Sequence, residues 1–511
     1  MRQFPFGFAL TAFSLVPFAA SSSVPYKEYV HTQRNIERAQ AVKDAFEFAW
    51  SGYMEYAFPQ DELRPVSKTP SNSRNGWGAS AVDALSTAII MDSPEIVKTI
   101  LEHVSKLDYS KTDTQVSVFE TTIRYLGGML SGYDLLSQND MGQNPDHIGA
   151  LLTQSKNLGD IMKYAFDTPT GIPANDLNIS SKTTDDMTSN SIAGVGTLIL
   201  EWMRLSDLTG EREYGELAAR AESYLLDPKP QEGEPFPGLI GSNINITTGH
   251  FVNADVSWGG GADSFYEYLI KMFVYDESRF ELYRDRWILA IESSIEHLKF
   301  TISSGRDEYT YLAGFRNGEL DFASQHLTCF NGGNFLLGGQ VLGRQDLIDF
   351  GLDLVKGCYH SYRSTATGIG PEAFSWDPKK VPEDQRKFFE KNGFYITSRH
   401  YNLRPEVIES YYYAYRMTGD TMYQEWVWEA FEAVSKLCRT ESGFTSIGDV
   451  NDPTGGKKLD FQESFFFAEV LKYAYLTFAP EADWQIASEG KNKWVYSTEA
   501  HPFKVLTKAY I

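Results

Sequence analysis

The chain has 511 residues, 42% of them hydrophobic and 22% charged, which is the composition of a globular protein long enough for one very large domain or several ordinary ones. Its formal net charge is −22, with no basic patch to offset it, so nucleic acid is excluded as an expected partner and a bound cation is favoured. Aromatic residues reach 14%, and large amphipathic rings are suited to lining sugar clefts, although most of them are expected in the core.

Residues 1–20 read as a signal peptide, possibly a few residues longer. Arg2 supplies the charge, Phe4 to Phe18 a short apolar stretch, and Phe18-Ala19-Ala20-Ser21 a small-residue cleavage region. The apolar run is shorter than the roughly 20 residues a spanning helix needs. A secreted or secretory-pathway lumenal protein, without stable membrane association, is therefore expected. No Pro/Ser-rich linker divides residues 21–511, which read as a single catalytic domain.

From there the chain alternates two kinds of helical segment. Seven are rich in aliphatic and aromatic residues: Trp77–Met91, Phe119–Leu136, Ile192–Leu208, Asp263–Asp276, Asn334–Leu342, Pro405–Thr418 and Glu463–Phe478. Between them lie more polar stretches: Ile36–Phe58, Glu95–Lys106, Ile148–Phe166, Glu211–Leu226, Arg284–Ile302, Gln345–Cys358 and Met422–Cys438. No strand pattern of comparable length competes. Helix alternating with helix seven times predicts an all-α double ring. The apolar set would stand inside, and the ring would be closed rather than an open solenoid.

Several acids begin the apolar segments. An acid beside an apolar run is costly to bury unless it is paired, bound to metal or used in chemistry. Glu406 and Glu409 share one helix face, repel one another, and stand among Val407, Ile408 and Tyr411 to Tyr413, so full exposure is not expected. Pro405 is expected at the first helical position and Gly419 at the end. Glu406 in a first turn has its ionised form favoured, which suits a general base. Glu120 has a competing structural role, because Ser117 to Glu120 matches a capping box. Arg124, one turn on, could pair with Glu120 or orient a substrate. Asp263 follows Gly259-Gly260-Gly261, where backbone can approach a ligand closely, yet on spacing alone a plain N-cap or first-turn Asp is the better reading. Glu372 is a turn residue with a weak signal. One of Glu463 and Glu469, which flank Phe465 to Phe467, is expected to be interior.

Other chemistries lack their signatures. There is no His-Glu-x-x-His, no Cys-x-x-Cys, no phosphate-cradling Gly-Lys-Ser/Thr loop, no Gly-x-Ser-x-Gly elbow and no EF-hand spacing. Of nine histidines, His326, His360, His400 and His501 stand out, but lone histidines are usually structural. Three cysteines allow one disulfide and a leftover thiol, and Cys438, in an apolar helical run, is expected to be the free one. Asn178-Ile179-Ser180 and Asn245-Ile246-Thr247 are acceptor sequons for N-glycosylation.

Taken in order, Phe119–Gly128, Asp263–Lys271, Arg404–Ser410, Glu463–Tyr473 and Thr498–Pro502 resemble the motifs of class I α-1,2-mannosidases, glycoside hydrolase family 47, and of its secreted fungal members in particular. The likeness runs from Ala49-Trp50-Ser51-Gly52-Tyr53 to Pro502. It implies an (α/α)7 barrel, consistent with the seven inner segments. It implies an inverting exo-hydrolase that takes terminal α-1,2-linked mannose from high-mannose N-linked glycans as a monomer. It also implies a calcium ion that binds sugar hydroxyls, with Thr498 as the protein ligand through its hydroxyl and carbonyl oxygens and waters completing the shell. Carried over motif by motif, Glu406 resembles the base that activates water. Glu120 resembles an acid acting through a water, and Asp263 the competing or assisting acid. Arg124, Glu372, Arg404, Glu409, Phe465, Glu469 and Glu499 match positions that hold the sugar or order the calcium waters, with Phe465 stacking on the ring. The family disulfide corresponds to Cys329–Cys358.

One departure bears on specificity. Endoplasmic-reticulum-type members carry Arg two residues before the catalytic Asp, where this chain has Gly261. The expected result is a more open cleft that trims several branches. In an inverting enzyme the acid and base carboxyls are expected roughly 6.5–9.5 Å apart. Two rivals are a catalytically weak mannosidase-like lectin that binds high-mannose glycoproteins and a different α/α-barrel glycosidase. The intact acids and cysteines oppose the first. Thr498-Glu499 and the Arg404–Ser410 motif oppose the second.

Overall fold

The seven apolar segments fold as one ring of inner helices. In the computed structural model, which describes residues 32–229 and 233–506, they are Ala79–Ile90, 118–136, 192–209, Asp263–Tyr275, Phe330–Leu342, Glu406–Thr418 and 466–478. Each touches the next, and the last touches the first, so the ring is closed. The closing contact includes a hydrogen bond from the Thr87 hydroxyl to the Phe467 carbonyl (2.7 Å). The seven polar stretches form the outer ring: Gln33–Tyr56, Pro94–Val104, Pro145–Met162, Arg212–Leu226, Glu281–Ser293, Gln345–Arg363 and Thr421–Cys438. The fold is all-α, an (α/α)7 barrel, as the alternation predicted. The expected signal peptide, residues 1–20, lies outside the described residues.

Burial follows the two kinds of sequence. Every residue of Ala79–Ile90 is buried, whereas Pro94–Val104 buries only Val97, Ile100, Leu101 and Val104, one face of an amphipathic helix. Glycine allows the inner helices to come close. A Cβ on Gly128 would stand 2.8 Å from the Val82 carbonyl oxygen, so only glycine lets 118–136 lie against Ala79–Ile90.

Two local readings are corrected. Arg284–Ile302 is not helical throughout: the α-helix ends at Ser293, a π-turn covers Ser294–Leu298, and Lys299–Ser304 pairs antiparallel with Asp307–Leu312. Phe300, Thr301 and Ile302 favour a pleated strand once a partner strand is available. Pro405 caps the helix that begins at Glu406 rather than occupying its first position, while Gly419 ends it at φ 62° as expected. Of the two acids that flank Phe465 to Phe467, Glu469 is buried, as expected of one of them, and Glu463 is half-buried.

Two further features set up the interior. A disulfide joins Cys329 to Cys358, tying the start of an inner helix to its outer neighbour, and Cys438 is free and buried. A hairpin of Trp494–Tyr496 and Pro502–Lys504 packs among the inner helices, touching Asp263–Tyr275 and Gly127–Leu136. Its turn carries Thr498 and Glu499 into the barrel.

Candidate active site

A cavity of about 370 Å³ opens where several inner helices begin. Its wall takes Glu120 and Arg124 from one helix, Asp263 and Glu267 from a second, Glu406 and Glu409 from a third, and Phe465 and Glu469 from the segment entering the last. Thr498 and Glu499 come from the hairpin turn. Seven lining carboxylates (Glu120, Asp263, Glu267, Glu406, Glu409, Glu469 and Glu499) thus face only two lining guanidiniums, Arg124 and Arg404. Of the residues that the family resemblance assigns to catalysis, the sugar or calcium, all but Glu372 line the cavity. Glu372 instead accepts a hydrogen bond from Arg404 Nε (2.6 Å) and so fixes that guanidinium beside Glu406.

The three candidate catalytic acids have different environments. Glu406 is buried, which alone would raise its pKa, but a hydrogen bond with His326 and the positive charge of Arg404 hold it below the ordinary carboxylate range. Glu120 is also pushed up by burial, and the charges of Arg124 and Arg74 bring it below its ordinary value. Arg124 Nε donates to Glu120 at 2.8 Å, and Arg74 lies 3.4 Å away. The Ser117 hydroxyl does accept from the Glu120 backbone N–H (3.4 Å), so the helix cap is real, but the Glu120 carboxylate serves the arginines. Asp263 goes the other way. Burial raises it, the Ser264 backbone N–H opposes this, and the negative charges of Glu267 and Glu406 add to the rise, leaving it at about 7.

The floor is more acidic still. Burial raises Glu409 to about 8 despite Lys271 nearby, and raises Glu469 and Glu499 well above their ordinary range. Arg124 Nη1 meets Glu499 at 2.5 Å, yet the other Glu499 oxygen is buried without a hydrogen-bond partner. Among the described residues, no three His, Cys, Asp or Glu side chains converge as direct metal ligands. A hard cation held by Thr498 oxygens and waters, with the carboxylates around them, matches this donor set. Oxygen donors are what calcium prefers, and a cation there would favour the ionised forms of the carboxylates that burial pushes up.

Several site residues were given no role by the sequence. His326 Nδ1 lies 2.7 Å from Glu406 Oε2 and its Nε2 lies 2.6 Å from the Tyr362 hydroxyl. Asp83, Glu201, Glu267, Lys271 and Lys472 are buried inside inner helices. Each is a charged residue in an apolar run, the same signal that singled out Glu409. Single π-turns, Thr122–Leu126 and Phe466–Val470, carry Arg124 and Glu469 and turn them toward the cavity, a device frequent at functional sites. The sequon residues differ: Asn178 is exposed and Asn245 half-buried.

Residues 45–505 match the sequence profile of glycosyl hydrolase family 47. The chain belongs to that family. Among family 47 relatives, a mannosyl-oligosaccharide alpha-1,2-mannosidase of Coccidioides posadasii is 62% identical over 475 residues, covering 92% of this chain and 91% of the relative. One from Penicillium citrinum is 58% identical over 510 residues, covering 98% and 99%. The solved alpha-1,2-mannosidase from Trichoderma reesei superposes with a TM-score of 0.90 at 45% identity, covering 92% of this chain and 99% of that one. Among the described residues of this family 47 chain, no helix is long and apolar enough to cross a membrane.

Proposed function

We propose that the protein is a calcium-dependent, inverting exo-glycosidase. It hydrolyses terminal α-1,2-linked mannose from high-mannose N-glycans and trims several branches. Membership of family 47 and the relatives' shared activity support the substrate class. The observation that carries the mechanism is the split among the acids: Glu406 is held ionised while Asp263 is pushed up to about 7.

In this reading Glu406 takes a proton from a water that attacks the anomeric carbon. The glycosidic oxygen leaves with a proton from the opposite side, and the α-linkage yields β-mannose. Asp263 is the favoured proton source, because with a pKa raised to about 7 a large share of it still carries its proton near neutrality. Glu120, ionised between Arg124 and Arg74, could act only by relaying a proton through water, as the family resemblance implies. Arg404, fixed by Glu372, and Arg124 hold sugar hydroxyls, and Phe465 offers its ring to the mannose face. Thr498 would hold calcium, and Glu409, Glu469 and Glu499 would order its waters. When bound, the ion would grip sugar hydroxyls and offset the acidic floor.

The same reading takes residues 21–511 as one catalytic domain behind a cleaved signal, secreted or lumenal, monomeric, and glycosylated at Asn178 and Asn245. The deciding experiment is release of free mannose from an α-1,2-linked mannose disaccharide, with and without chelator, following the first-formed anomer by NMR. β-Mannose formed only with calcium is expected. α-Mannose appearing first would overturn inversion. A protein that binds high-mannose glycans but releases no mannose would be the lectin.

A further inference from the structure

The turn that carries Thr498 is held from several sides by buried polar groups with no part in the chemistry above. Residues 497–501 fold back on themselves: Ser497 N–H donates to the His501 carbonyl (2.9 Å), Ala500 N–H to the Ser497 carbonyl (3.0 Å), and His501 N–H to the Ser497 hydroxyl (3.1 Å). Ala500 sits at φ 54°, a left-handed conformation that a residue with a Cβ holds only where its surroundings impose it. Those surroundings are specific. The Tyr268 hydroxyl accepts from Thr498 N–H (3.1 Å) and donates to Glu201 (2.7 Å). Lys472 Nζ donates to the Ala500 carbonyl (2.5 Å) and to the Ser86 hydroxyl (2.9 Å). Lys271, paired with Glu267, reaches the Ser497 carbonyl (3.4 Å). Tyr268, Lys472 and Glu201 are fully buried.

A lysine and a tyrosine–glutamate pair are expensive to take out of water, and a barrel core could be filled more cheaply with apolar side chains. Their hydrogen bonds converge on the backbone either side of Thr498. Groups behind a metal ligand commonly fix the direction of its donor atoms, and losing one typically weakens metal affinity 10–100-fold. We propose that Tyr268 and Lys472 are positioning residues for the cation: they clamp the 497–501 turn from two sides so that the Thr498 oxygens are preset before the ion arrives. This rests on the reading of Thr498 as the calcium ligand.

The test uses the full-length protein, stripped with chelator and titrated with calcium chloride by calorimetry, for wild type, Tyr268→Phe and Lys472→Met. The Tm of each stripped protein is measured alongside. Expected is a Kd weakened about 10–100-fold in each variant, a stripped Tm close to wild type, and recovery of kcat at saturating calcium. Tyr268→Phe removes one oxygen and keeps the ring, so it remains informative if Lys472→Met fails to fold. A Tyr268→Phe Kd within about twofold of wild type would overturn the clamp alone. So would a weakened Kd that merely accompanies a collapse of the stripped Tm, as a structural role would give. A wild-type protein that takes up no calcium would overturn both the clamp and the calcium reading beneath it.

Discussion

His326 and Glu406 share a hydrogen bond of 2.7 Å although 80 residues separate them, and the far side of the imidazole is fixed by the Tyr362 hydroxyl. The pair is buried, so this bond is a principal influence holding the Glu406 carboxylate ionised against desolvation. His326→Ala is therefore expected to raise the pKa of Glu406. A raised base pKa means that the acidic limb of the pH profile of kcat/KM moves to higher pH. Tyr362→Phe, which only frees the far nitrogen, should shift it less. An unmoved limb in His326→Ala would detach the histidine from the chemistry.

The acid–base split predicts two unlike variants. Glu406→Gln should lower kcat by about 10²–10⁴-fold, the usual share of a general base, while glycan binding measured by calorimetry persists. For Asp263 the useful form is protonated, and its pKa is about 7, so wild-type activity should fall as pH rises through neutrality. Asp263→Asn should lose most activity and leave no basic limb at that position. Retention of the same limb in the variant would assign the proton to another group.

Gly261 lines the cavity at φ 87°, and a Cβ there would meet only Ser191, at 3.7 Å. A Cβ has room at this position; the backbone angle is the obstacle. Gly261→Arg is expected to cost about 1 kcal/mol in stability and to make digestion of a nine-mannose glycan pause after its first cleavages. Product mass over time reads this directly. Equal progress curves would show that this position does not govern branch choice.

The Cys329–Cys358 bridge closes a loop spanning 29 residues. Chain entropy gives such a link about 3–4 kcal/mol. Cys329→Ser with Cys358→Ser should therefore lower the unfolding midpoint in denaturant and, by releasing a cross-link from the unfolded chain, steepen the slope. The bridge also borders the helix start that holds His326, so a modest loss of activity should accompany it.

Helical periodicity made the barrel legible, because a seven-fold alternation of apolar and amphipathic segments survives without any knowledge of contacts. It failed at Lys299–Ile302, where a partner strand outweighs the helix pattern. Within the site, Glu406 and Glu409 announced themselves as repelling acids in an apolar helix. Glu120 and Asp263 did not, because a capping residue and a helix-start Asp look the same whether or not they face a substrate. His326 was visible only as a lone histidine, since its partner comes from a different helix. Thr498 was invisible to spacing, because its placement depends on a hairpin entering the ring from outside it. Asp83 and Lys472 could have been found by extending the buried-charge logic to every inner segment.

The hydrogen bond from Thr87 to Phe467 stitches together positions 380 residues apart. Closing so long a loop yields no reward until nearly all the intervening hairpins are in place. An open stack of helical pairs could lose one repeat and remain a shorter stack. This ring depends on closure: with one pair missing, the first and last inner helices no longer meet at Thr87 and Phe467, and the helices that carry the cavity acids lose their common frame. Loss of any one pair is thus a failure of the whole.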